Sequence, residues 1–105
     1  MSRRAALEAW LVDHPDDRFS AYALALEERA AGELGLAAAR LADLVVRHPS
    51  SGAAWLQLAR TRLALGDETG ARAAIDEGAT ALAGDPSAAK ARRELLAERD
   101  AMDDS

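Results

Sequence analysis

The sequence predicts an all-α protein built from repeated helix–turn–helix units, and three observations lead there. Alanine makes up about a quarter of the chain, and with Leu, Arg and Glu it supplies mostly residues of high helix propensity. Val, Ile, Thr and aromatic residues are too sparse to build strands. Two His-Pro pairs, His14-Pro15 and His48-Pro49, stand 34 residues apart, and apolar residues between and around them recur at spacings of three and four.

The elements follow in order. Residues 3–13 carry Ala6, Leu7, Trp10 and Leu11 at helical spacing and end at Pro15. Residues 18–31 carry Phe19, Tyr22, Ala23, Leu26 and Ala30, with Leu24 widening the stripe, and Gly32 ends them. Glycine is the residue that leaves a helix through positive φ most easily. Residues 34–47 carry Leu34, Ala37, Ala38, Leu41, Leu44 and Val45. The next helix, about 52–65, uses Trp55, Leu58, Ala59 and Leu63, is capped by Ser50 or Ser51, and ends at Gly66. Asp67 caps a helix over about 68–82 with Ala71, Ala74, Ile75, Ala79 and Leu82. With no proline at Ala83 and the next one at Pro86, that helix is expected to run a turn longer than its counterpart. Residues 87–101 form a polar helix with Ala88, Ala91, Leu95 and Leu96 on its apolar side, and Met102-Asp103-Asp104-Ser105 are expected to fray.

The 34-residue shift aligns Leu24 with Leu58, Ala25 with Ala59, Gly32 with Gly66, Ala37 with Ala71, Ala39 with Ala73 and Leu41 with Ile75. Trp55, Leu58 and Ala59 resemble the Trp-x-x-Leu-Gly opening of the tetratricopeptide repeat, Gly66-Asp67 its inter-helix turn, and Ala71 and Ile75 the small and large residues of its second helix. The first repeat departs from the pattern: Ala21 replaces the tryptophan. Glu28 and Arg62 stand where the family prefers tyrosine. The resemblance implies a single domain forming a solenoid of about six antiparallel helices. Its expected divisions are an N-terminal half-repeat helix over 1–15, repeats over 16–49 and 50–83, and a capping helix over 86–102.

Composition narrows the function classes. The net charge of −5 argues against a nucleic-acid partner, which calls for a basic face. No apolar run is long enough for membrane insertion, and Glu8 and Asp13 interrupt any signal-peptide core, so a cytoplasmic protein is expected. The absence of cysteine removes thiol chemistry and Cys-based zinc sites. Alanine richness and a single lysine, Lys90, fit a GC-rich bacterial genome.

The residues that could carry chemistry have simpler readings. His14 and His48 sit at helix C-terminal ends, where they suit the negative end of the dipole, and no second ligand stands at metal-binding spacing. Asp16-Asp17 reads as a helix start, Glu27-Glu28 as a solvated helix face and Asp103-Asp104 as tail. Gly66-Asp67-Glu68-Thr69-Gly70 lacks the lysine and preceding strand of a phosphate loop. Arg92, Arg93 and Arg99 interleave with Glu94, Glu98 and Asp100 as a salt-bridged surface. Trp10 and Trp55 are expected in the core, though Trp10, on a half-covered terminal helix, could instead meet a partner. No enzyme activity, cofactor or metal is expected.

The resemblance implies a concave wall lined by the first helix of each repeat. Carried over residue by residue, it presents Phe19, Tyr22, Leu26 and Arg29 from the first repeat and Ala53, Leu56, Gln57, Arg60 and Leu63 from the second. The expected function is that of an adaptor or regulatory subunit holding a peptide or helix of another protein there. The alternative is a structural homo-oligomerisation module, its groove buried by its own C-terminal helix or by a second copy in a homodimer.

Overall fold

A computed structural model describes residues 2–104; Met1 and Ser105, the outer limits of the expected first and last segments, lie outside the described residues. Among the described residues there are six α-helices and no strand. They are α1 (Arg3–Asp13), α2 (Arg18–Ala30), α3 (Leu34–Arg47), α4 (Gly52–Ala64), α5 (Glu68–Leu82) and α6 (Ala89–Asp103), with one 3₁₀ turn (Pro86–Ala88) leading into α6. No described helix is long and apolar enough to cross a membrane.

Local chemistry sets the boundaries. Ser2 accepts a bond from the Ala5 amide, Asp17 from Phe19 and Ser20, Asp67 from Gly70 and Asp85 from Ser87, each satisfying backbone donors that a helix start leaves open. Ser51 departs from expectation. It occupies the cap position of α4, but neither it nor Ser50 makes a capping bond through its hydroxyl. At ψ of 75–95° Asp17 and Asp67 reach the amides with a carboxylate. The serine hydroxyl, one bond shorter, does not reach from a ψ of 89°. Gly32 and Gly66 leave α2 and α4 at φ 81° and 80°. The following amides, of Glu33 and Asp67, bond back to the carbonyls of Glu28 and Arg62, closing the same C-terminal loop twice, 34 residues apart.

Two expectations at the C-terminal side fail. Helix α5 does not gain a turn: Ala83 is extended at ψ 135° and Gly84 turns the chain at φ 82°. Nor does the tail fray before Asp104. Met102 is 8% exposed, and Asp103 pairs with Arg72 of α5 at 2.7 Å, so α6 is held down to its last turn.

Consecutive helices pack side by side, and α6 lies against both α5 and α4. The molecule measures 43 × 30 × 17 Å. Leu24, Leu41, Leu58, Ile75, Leu82 and Leu95 are fully buried, one or two from each helix after the first. Between them Ala25, Ala37, Ala54, Ala59, Ala71 and Ala74 let the helix axes approach closely. Trp55 is in this core as expected, its indole Nε1 donating to the Pro49 carbonyl at 2.9 Å. Trp10 is not. It is 48% exposed, stacked on His14 at 3.6 Å, with its Nε1 donating to Asp17 at 2.7 Å. Among the described residues α2 is the one substantial neighbour of α1, and the indole stays about half exposed.

Glu28 is the main surprise of the interior. Expected on a solvated face, it is 2% exposed and accepts from Nε and Nη2 of Arg40 at 2.8 and 3.2 Å, a two-pronged pair that links α2 to α3. Its counterpart 34 residues on, Arg62, donates to the Gly70 carbonyl at 3.1 Å and links α4 to α5. At both positions a polar group ties the two helices of a hairpin together.

Candidate docking face

The nine residues expected to line a groove divide into an open set and a closed set. Helix α2 presents Phe19, 74% exposed, and Leu26, 37% exposed, on successive turns, with Tyr22 half-buried between them and resting on the core. Arg18 lies over the Phe19 ring at 5.1 Å, a cation–π contact at the upper rim. At the lower rim Arg29 donates to Gln57 of α4 at 2.5 Å, so the two helices are tied across the face. Ala53 is exposed, and Gln57 partly so, on the same side of α4. Arg18, Phe19 and Tyr22 with residues 50–53 line an open cavity of about 410 Å³ between α2 and the start of α4.

The other side of α4 is shut. Leu56, expected in the groove, is 7% exposed and belongs to the core, which corrects that assignment. The cause is α6. Gly52, Leu56 and Arg60 follow one another on successive turns of one face of α4. A Cβ on Gly52 would lie 2.4 Å from that of Ala91, and Arg60 donates to Glu98 at 2.7 Å. Leu56 lies between these contacts and is covered. The rising order of the partners, residue 91 and then 98, means that α6 runs parallel to α4. Arg60, expected to line the groove, is paired with Glu98 of α6 instead. Leu63, 41% exposed, sits at the far end beside Glu68, Glu98, Ala101 and Met102, which with it line a separate cavity of about 230 Å³.

The charged surface of α6 is salt-bridged, mostly to other helices rather than along its own length. Arg92 donates to the Ala79 carbonyl and Arg99 to Asp76, while Lys90 faces Glu94 at 3.9 Å. His14 and His48 are the C-cap residues of α1 and α3, each backbone amide bonding four residues back. Among the described residues no group of three or more His, Cys, Asp or Glu side chains is placed to hold a metal ion. Residues that sequence reasoning left out of the face are Arg18, Ser50, Ser51 and Gly52. The tyrosine and phenylalanine marked the helix face, but nothing local marked the hairpin loop that closes the cavity from the α4 side. No family model, curated protein or solved structure matches the chain.

Proposed function

We propose that this chain is a tetratricopeptide-like helical-repeat solenoid that holds a segment of another protein against α2 and the near side of α4, as an adaptor or regulatory subunit. One observation carries the reading. Phe19 and Leu26 stay in solvent on the same side of a helix whose opposite side is packed, next to an open cavity of about 410 Å³. A contiguous exposed apolar face of this kind marks interaction surfaces in soluble proteins. Tyr22 and Arg29 add residue types enriched where binding energy concentrates. The 34-residue recurrence of helix starts, glycine turns and interhelical polar ties supports the repeat reading.

The burial of Leu56 favours a second reading in part: α6 takes up the space a ligand would otherwise use along α4, as in a self-filled structural module. The docking proposal is accordingly confined to Phe19, Tyr22, Leu26, Arg29, Ala53 and Gln57. Selection from a displayed random peptide library tests it. Enriched peptides should carry aromatic or large aliphatic residues. Tyr22→Ala should weaken their binding by roughly 1–2 kcal/mol or more. Phe19→Ala, at an exposed position, should leave stability within about 0.5 kcal/mol of the parent. A library that enriches nothing, or binders indifferent to both substitutions, contradicts the proposal.

A further inference from the structure

Helix α1 is chemically unlike the helix at the other end of the stack. Seven of its eleven residues are apolar, yet none is buried. Arg4, Leu7 and Leu11 turn toward α2 and are partly covered; Ala5, Ala6, Ala9, Trp10 and Val12 remain exposed. Val12 is 79% exposed and Trp10 48%. The outer side of α6, by contrast, carries Lys90, Glu94 and Asp100, the polar face expected where a helical stack meets water. The exposed side of α1 is mostly apolar instead.

The charges at the two ends of α1 indicate what covers it. Arg3, in the first turn, is 71% exposed at its side chain and, among the described residues, forms one ion pair, with Glu27 at 3.4 Å. Asp13, in the last turn, is exposed, and its carboxylate makes no hydrogen bond or ion pair among the described residues. A helix that is positive at its start and negative at its end, with Ala5, Ala9 and Val12 exposed between them and Glu8 off to one side paired with Arg4, is complementary to itself run backwards. We infer that α1 is a self-association surface: two copies pack α1 on α1, antiparallel about a two-fold axis, with Arg3 of each facing Asp13 of the other. A two-fold contact of this kind uses the same patch twice and closes on itself. Ala5 and Ala9 let the axes come close, and Trp10 covers the flank of the seam. The surface is one side of a single helix about 16 Å long and about 10 Å across, which offers far less than the roughly 800 Å² per partner of a tight complex, so the dimer is weak and concentration-dependent. This surface is distinct from the α2 docking face and does not depend on it.

Sedimentation equilibrium of the full chain from about 1 μM to 1 mM tests the inference. The parent should pass from monomer to dimer within this range. Ala9→Arg, at an exposed position, should remain monomeric with an unchanged circular dichroism spectrum. Arg3→Asp and Asp13→Arg should each weaken association by about tenfold, and the double swap should restore it, because the exchanged charges face each other again. Both single swaps suit the helix dipole, and an unchanged circular dichroism spectrum of each shows that losing the Arg3–Glu27 pair has not loosened α1. A parent that stays monomeric throughout overturns the inference. So does a dimer that survives Ala9→Arg, one abolished by Phe19→Asp instead, or a double swap no tighter than the singles.

Discussion

Asp17 binds more partners than its position at a loop end suggests. It caps α2 through the amides of Phe19 and Ser20, accepts from the Ser20 hydroxyl, and receives the Trp10 indole N–H from α1. These donors, the indole first, hold its carboxyl below the ordinary value of 3.8. A carboxyl whose folded value is depressed stabilises the fold fully above its unfolded value and loses that contribution as pH falls through the folded one. The stability gap between the parent and Asp17→Ala should therefore be constant from neutral pH down to about 4 and close below it. Chemical denaturation as a function of pH, followed by tryptophan fluorescence and by circular dichroism, measures this. A gap that is independent of pH down to 2 would contradict the bonding described. In the interior, Leu41 is fully buried between α2, α3 and their neighbours. Leu41→Ala should destabilise by about 2–5 kcal/mol; a loss under about 0.5 kcal/mol would place Leu41 at the surface. Glu28 lay beyond sequence reasoning because a carboxylate pair on a helix reads as solvated. Only the arrival of Arg40 from α3, twelve residues away, makes its burial tolerable.

Helices were legible because their ends carry chemistry in the local sequence. The bounds expected for α1, α3 and α5 recur as 3–13, 34–47 and 68–82, and α2 and α4 each end one residue earlier than expected. The C-terminal helix was misjudged at both ends, since Pro86 opens a 3₁₀ turn and Met102 and Asp103 are fixed by contacts to distant residues. Periodicity identifies a helix's apolar stripe without identifying the neighbour that covers it. Leu56 and Phe19 read alike for this reason, yet α6 covers one and leaves the other open. Two glycines show how closely α6 is seated. On Gly78 of α5 a Cβ would lie 2.6 Å from a Leu95 methyl and 2.9 Å from the Trp55 ring. On Gly52 it would meet Ala91. Alanine at an exposed helical position would add up to about 1 kcal/mol of stability over glycine. Gly78→Ala should instead destabilise, by about 1–3 kcal/mol, because a packed core resists an added methyl. Thermal unfolding decides between the signs, and a stabilised Gly78→Ala protein would mean that α6 is not seated where described.

For the molecule as a whole, the six helices form a plate 17 Å thick rather than a ball, so a large share of each helix stays near the surface. Function in such a shape depends on which of those surfaces are finished with charge and which are left apolar. Helix α6 finishes one end; α2 and α1 are left open on different sides. That division was only half legible: the apolar face of α2 stood in the sequence, whereas its separation from Leu56 and Arg60 depends on how α6 returns along α4. Chemical-shift mapping of a selected peptide titrated into isotope-labelled protein tests the central claim most directly. The account predicts shifts concentrated at Phe19, Tyr22, Leu26, Arg29, Ala53 and Gln57, with Leu56, Ala91 and Leu95 unmoved. Shifts centred on α3 and α5, or large changes at Leu56 and Leu95 showing that α6 has been displaced, would contradict it.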